Sequence, residues 1–114
     1  MSATLFDSSQ NSVGDLLSLI GVEPDATVTK ALIENSALRL VLFAMDAGQK
    51  LTDHSASKPA FVQMLDGEIV FSLEGEAHPL GPGGWVAMQP GAIHAVEATK
   101  PSRFLLTLVK EPTA

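Results

Sequence analysis

Short strand-like segments, separated by turn residues at regular intervals, restrict the fold of this chain more than any other feature. The turns include Asn35-Ser36, Ala47-Gly48, Glu74-Gly75 and Pro90-Gly91. A turn every ~8 to 12 residues is typical of an all-β sandwich or barrel. The pattern predicts strands at 27–34, 38–45, 61–65, 69–73, 76–80, 85–89, 92–98 and 102–109.

One dipeptide predicts the local geometry of its turn. Asp66-Gly67 lies between the apolar segments 61–65 and 69–73. Asp-Gly favours the positive φ angles of a tight turn between paired strands. The sequence therefore predicts a β-hairpin at this point.

The N-terminal part has a different pattern. Residues 1–11 are small and polar, which predicts a flexible arm ahead of a single domain at 12–114. Ser12 is a candidate N-cap and Gly21 a candidate C-terminal exit, which predicts one short helix at 13–20. Four apolar residues recur at the spacing of one helical face: Val13, Leu16, Leu17 and Ile20.

Composition excludes several classes of protein. A chain of 114 residues with 46% hydrophobic and 18% charged residues is sufficient for one globular core. With a net charge of −6 and scattered Lys and Arg, nucleic acid is not an expected partner. The chain contains no Cys and no Tyr, which excludes thiolate metal sites and a phenolic general acid. No apolar run is long enough to span a membrane and no signal peptide is visible, so we expect a cytoplasmic protein without a membrane partner.

Two histidine-bearing segments give the best indication of function. The first begins at Gly48, contains His54 and reaches Gly67, and the second runs from Gly83 through Gly91 to His94. This layout resembles the two motifs of the cupin superfamily. There the first motif is Gly, five residues, His-x-His, three or four residues, Glu, six residues and Gly. The second is Gly, five residues, Pro-x-Gly, two residues and His.

The scaffold positions match well, and the ligand positions match only in part. Ala56 stands where the second His of the first motif would be, and Ala60 stands where the Glu would be. Gln89 replaces the Pro of the second motif, although Pro90 follows it directly. The glycines and the other two histidines are in register: Gly48, His54, Gly67, Gly83, Gly91 and His94.

The resemblance implies a cupin double-stranded β-helix, or jelly-roll barrel, with one short N-terminal helix and its core motifs at 48–94. Strand side chains alternate between faces, so both first-motif segments must be extended if they are to share the inward face. The predicted pocket would be mostly apolar with two imidazoles. The predicted ligand-binding residues are His54, Ala56, Ala60, Val62, Met64 and His94.

In the cupin superfamily the three His and the Glu usually hold a divalent metal. Here only His54 and His94 remain as metal ligands, whereas zinc and iron sites generally use at least three protein ligands. The sequence leaves open a weakly held metal such as iron, manganese, zinc or nickel. It also leaves open that both histidines are interior residues hydrogen-bonded to each other, to water or to the backbone.

Three functions follow from the resemblance. The first is a cupin that binds a small organic ligand, with His54 and His94 as polar anchors. The second is a metal-dependent enzyme of the dioxygenase, isomerase or decarboxylase type. The third is a metal-free, epimerase-like enzyme with one His as general base.

Because segment 38–45 is apolar on both faces and jelly rolls leave sheet edges, we also expect a homodimer.

Overall fold

The computed structural model describes residues 3–110, which form two antiparallel β-sheets. Together they contain nine strands: β1 (Thr27–Glu34), β2 (Leu38–Met45), β3 (Lys50–His54), β4 (Ala60–Asp66), β5 (Ile69–Leu73), β6 (Glu76–Leu80), β7 (Trp85–Met88), β8 (His94–Ala98) and β9 (Ser102–Val109). All eight predicted strands are present, and β3 is an additional strand within the first histidine segment. The prediction of a nearly all-β fold is confirmed.

The two sheets lie face to face. One has the strand order β1-β2-β9-β4-β7, and the other has the order β3-β8-β5-β6. Within residues 3–110, hydrogen bonding does not join the two sheets at their edge strands, so the expected barrel is not closed. The architecture is therefore a sandwich with β1, β7, β3 and β6 as its edges.

The core fills the space between the sheets. Alternate residues of β4 (Ala60, Val62 and Met64) are buried, because successive strand side chains point to opposite faces. Burying one large apolar side chain contributes roughly 1.5–3 kcal/mol, so this face dominates the stability. The core comprises Met45, Ala60, Val62, Met64, Ile69, Phe71, Val86, Met88, Val96, Ala98 and Phe104.

The outer face of β2 is covered by the chain's own N-terminal segment. Leu42 and Ala44 are both 0% exposed and belong to a second cluster with Ile20. Leu16, Leu19 and other partly buried residues pack against this cluster. The apolar outer face of β2 is thus removed from water within one chain.

The predicted helix at 13–20 is wrong. Only Leu16–Ser18 is helical, as a single 3-10 turn capped by Asp15 instead of Ser12. Side chains of the sheet donate to carbonyls of this segment: Arg103 Nη1 donates to Leu17 O (2.8 Å) and Ile20 O (3.1 Å), and Lys30 Nζ donates to Leu19 O (2.9 Å). The segment packs Leu16, Leu19 and Ile20 on the outer face of β2, a set that differs from the predicted helix face. Val13, assigned to the apolar helix face, is 100% exposed.

The predicted hairpin at Asp66-Gly67 is also wrong. The strands on either side, β4 and β5, lie in different sheets and do not pair. Gly67 does adopt a positive φ of 82°, but the turn carries the chain from one sheet to the other. The hairpin in this region is formed by Glu74-Gly75, which joins Leu73 to its cross-strand partner Glu76.

The first residues that the structure describes lie beside β1. The Leu5 amide donates to Ala31 O at 2.9 Å, and the Phe6 amide donates to Leu32 O at 3.0 Å. Part of the segment predicted as a flexible arm is therefore hydrogen-bonded to an edge strand. Among residues 3–110, no helix is long and apolar enough to cross a membrane.

Candidate functional site

The two motif histidines are cross-strand neighbours. His54 is the last residue of β3 and His94 is the first residue of β8, and the antiparallel register pairs them directly. Residues paired in this way have side chains on the same face and in contact. Their ring centroids are 4.1 Å apart, with an angle of 59° between the ring planes. Strand register alone therefore brings the two imidazoles together.

Each ring is hydrogen-bonded in the same way, through Nδ1 to the backbone carbonyl of the residue two positions earlier. His54 Nδ1 lies 3.1 Å from Thr52 O, and His94 Nδ1 lies 3.1 Å from Ala92 O. Because a carbonyl oxygen only accepts hydrogen bonds, Nδ1 carries the proton in each bond. In the neutral ring, Nε2 is then an acceptor. The pair thus presents two imidazole acceptors, each oriented by the backbone two residues before it.

The histidines differ in depth. His94 is 8% exposed and stacks on Phe71, with centroids 5.7 Å apart and planes 4° from parallel. His54 is exposed and lies toward solvent. The pair therefore runs from the interior of the sandwich to its surface.

The histidines contribute to the lining of a cavity of about 210 Å³ between the sheets, which we call the histidine cavity. Its other lining residues are apolar: Phe43, Leu51, Val62, Phe71, Met88, Val96, Phe104 and Leu106. Phe43 and Phe104 stack with centroids 4.8 Å apart. Since ligand pockets usually measure 300–1,000 Å³, only a small molecule would fit.

The structure brings together some of the residues predicted for the site. His54, Val62 and His94 line the histidine cavity. Ala60 and Met64 are buried in the core, 6% and 4% exposed, and do not line the cavity. Ala56 lies beyond the end of β3 and lines a different pocket, and its carbonyl accepts the Gly91 amide at 2.8 Å. That bond joins the two motifs.

Sequence reasoning missed most of the cavity wall. Phe43, Phe71 and Phe104 lie on β2, β5 and β9, outside the segments from which the site was predicted. Their inward positions follow from strand alternation once the sheet order is known. In a nearly unbroken apolar run such as 38–45, however, alternation does not show which face is inward.

Comparison with known proteins identifies the fold. No protein-family model and no curated protein matches the sequence. A protein of unknown function from Streptococcus pyogenes has a TM-score of 0.84 and 25% identity over 98% of both chains. A cupin superfamily protein from Desulfitobacterium hafniense has a TM-score of 0.82 and 20% identity, covering 90% of this chain and 94% of that one. A Cupin 2 conserved barrel domain protein from Leptotrichia buccalis has a TM-score of 0.78 and 27% identity, covering 82% of this chain and 46% of that one.

The chain has the fold of small cupins. Four glycines at the motif positions, Gly48, Gly67, Gly83 and Gly91, have φ angles between 82° and 88°, a region that favours glycine. These similarities show the fold, and they assign neither a ligand nor an activity.

The residues of the two motifs do not fit a resident metal ion. Between residues 3 and 110, no group of three or more His, Cys, Asp or Glu side chains is placed to hold a metal. Ala60, at the position of the motif Glu, is buried beside Met88, its cross-strand partner. Two imidazoles are fewer than the ligands that zinc or iron sites generally use.

Proposed function

We propose that this cupin binds a small organic molecule in the histidine cavity, with His54 and His94 as polar anchors. One observation carries the proposal: two imidazoles, each fixed through Nδ1, lie side by side at a cavity that is otherwise lined by apolar residues. An apolar pocket with a few convergent polar groups is the usual form of a small-molecule site.

The lining restricts the chemistry of the ligand. Eight of the ten lining residues are apolar, three of them Phe, so the body of the ligand should be apolar or aromatic. The imidazole Nε2 atoms accept hydrogen bonds, so the ligand should carry a hydroxyl or N–H donor. A ligand without a donor would make no hydrogen bond with either imidazole, which lowers its affinity.

The proposal is tested by titrating small phenols, alcohols and carboxylic acids into the protein. Binding is followed by the NMR signals of the Met88 methyl group and the two imidazoles. We expect His54→Phe and His94→Phe to weaken binding of a donor-bearing ligand by roughly three- to tenfold, because each removes one acceptor. His78→Gln is the matched control, since His78 is exposed on β6 and does not line the histidine cavity. Unchanged affinity in both Phe variants would contradict the proposed anchors.

The metal-dependent alternative is tested on the same protein. Metal content is measured after purification without chelator, and the ligand titration is repeated in EDTA. Since a pair of imidazoles holds a divalent ion weakly, we expect substoichiometric metal and unchanged ligand affinity in EDTA. Stoichiometric iron, manganese, zinc or nickel that is lost in His94→Phe would instead support a metal-dependent enzyme.

A further inference from the structure

A second pocket, of about 390 Å³, lies beyond the histidine cavity along β9. Leu106 lines the cavity and Leu108 lines the second pocket. These residues are one two-residue step apart on β9, roughly 6.8 Å. The lining residues of the second pocket are Glu34, Arg39, Ala56, Ser57, Lys58, Leu108 and Lys110.

Arg39 interrupts the apolar run of β2 and has an unusual environment. Its cross-strand partner is Leu108, and strand alternation places it on the same face as Phe43, which lines the histidine cavity. The Nε atom of Arg39 is buried and has no hydrogen-bond partner among residues 3–110. A buried N–H of a charged group is costly to leave unpaired, so this position favours an acceptor from a ligand.

The lining of the second pocket carries net positive charge, which favours an anion. The chain has only seven Lys and Arg and a net charge of −6, yet three of its cations line this pocket. Lys110 Nζ pairs with Glu34 Oε2 at 2.9 Å and donates to Asn35 O at 2.7 Å, so it offsets the Glu34 charge. Arg39 and the exposed Lys58 then give the lining an excess of positive charge.

We propose that this pocket, the Arg39 pocket, binds the carboxylate of a small organic acid whose body occupies the histidine cavity. The inference rests on the proposed function and narrows its ligand class. A guanidinium suits a carboxylate because it offers several N–H donors in a planar fork. The Glu34 carboxylate, although paired with Lys110, still lies in the lining and disfavours a phosphate dianion more than a singly charged carboxylate.

The test compares matched probes that differ in charge. Benzoate and benzamide have similar shapes, and only benzoate carries the carboxylate; acetate reports the Arg39 pocket alone. Binding is followed by NMR at the Arg39 Nε–H group and at the Met88 methyl group. In the wild-type protein we expect benzoate to bind roughly tenfold or more tightly than benzamide, because charge-assisted hydrogen bonds are the strong ones.

Two variants and one control assign the effect to the Arg39 pocket. Arg39→Met retains much of the aliphatic stem and removes the charge, so it should abolish the preference for benzoate. Lys58→Met should reduce the preference roughly two- to threefold, because exposed charges contribute less. Lys100→Met makes the same change in net charge at an exposed residue outside the pocket and should leave the preference intact. If Arg39→Met does not fold, two measurements test the proposal instead: the preference for benzoate in Lys58→Met, and the shift of the Arg39 Nε–H signal in the wild-type protein.

The outcomes separate the two proposals. If benzamide shifts the Met88 signal while acetate and benzoate leave the Arg39 Nε–H signal unmoved, the carboxylate site is overturned and the proposed function stands. If acetate shifts the Arg39 signal but neither aromatic probe moves Met88, the anion site stands without the proposed function. Equal affinity for benzoate and benzamide, or a preference that persists in Arg39→Met, also overturns the inference. A preference for inorganic phosphate over acetate at Arg39 would overturn the assignment to a carboxylate.

Discussion

The fold leaves no room for a side chain at Gly67. A Cβ at this position would overlap the Pro101 carbonyl oxygen and Ser102 Oγ, and φ is 82°. Ser102 is 0% exposed, and its hydroxyl accepts the Glu68 amide at 2.9 Å and lies 2.7 Å from Lys100 O. The turn between the sheets and the start of β9 are thus packed directly against each other.

We expect Gly67→Ala to destabilise the protein by about 3 kcal/mol or more, because a left-handed conformation and a backbone clash add together. Gly75→Ala is the matched control. Gly75 has a φ of 84°, and a Cβ added there would meet nothing within 4 Å, so only the conformational cost of about 1–2 kcal/mol applies. Urea unfolding of both variants provides the measurement. Equal losses would show that the contact with Pro101 and Ser102 does not matter.

At the scale of the element, the segment around the 3-10 turn is held by side chains of the sheet. Arg103 on β9 donates from Nε to Asp66 Oδ2 at 3.1 Å and from Nη1 to the carbonyls of Leu17 and Ile20. The hydrogen bond to Asp66 raises the pKa of Arg103 above its ordinary value, so the guanidinium stays charged throughout the accessible pH range. One side chain therefore joins the end of β4, strand β9 and the N-terminal segment.

We expect Arg103→Met to loosen the N-terminal segment more than the sandwich. The variant loses the bonds to Leu17 and Ile20, and a global loss of about 1–3 kcal/mol is expected. Amide hydrogen exchange should quicken most in residues 16–22, because their cover over Leu42 and Ala44 is no longer fixed. Lys100→Met, at an exposed position three residues earlier, is the control. Unchanged exchange in residues 16–22 would contradict this role for Arg103.

At the scale of the whole molecule, the surface available for a homodimer differs from the one expected. The apolar outer face of β2, from which the dimer was predicted, is already covered within one chain. Apolar side chains remain exposed on the N-terminal segment itself, with Val13 100% and Leu17 39% exposed, and Val13 lines a groove of about 210 Å³ whose other lining residues are mostly apolar. We therefore propose that a second copy packs on this segment, because contiguous exposed apolar surface marks association sites.

Sedimentation tests this proposal. We expect a species of twice the 12.0 kDa chain mass at micromolar concentration, and Val13→Asp should shift it to the monomer because the charge would be buried at the interface. Ile93→Asp is the matched control, since Ile93 is 50% exposed and lies outside this groove. A wild-type protein that sediments as a 12.0 kDa monomer would exclude the dimer.

The amino-acid sequence by itself determined the strands and the identity of the paired histidines. Alternation and turn residues are local properties, so five of the predicted strands, including 27–34 and 69–73, have the observed bounds. The spacing of the motif around His54 and His94 was likewise sufficient to single out the two imidazoles that the register of β3 and β8 brings together.

Only the tertiary structure decided which sheet each strand joins. The sheet order in turn decided that Phe43, Phe71 and Phe104 line the histidine cavity. The Asp66-Gly67 turn has its expected φ, yet it separates β4 from β5, because sheet pairing depends on distant partners such as β9. The helical period at 13–20 was overridden by packing on β2, which buries Ile20 with Leu16 and Leu19 and leaves Val13 exposed. Arg39 faces a pocket for the same reason: the inward face of an apolar strand is fixed by what packs against it, which local sequence does not contain.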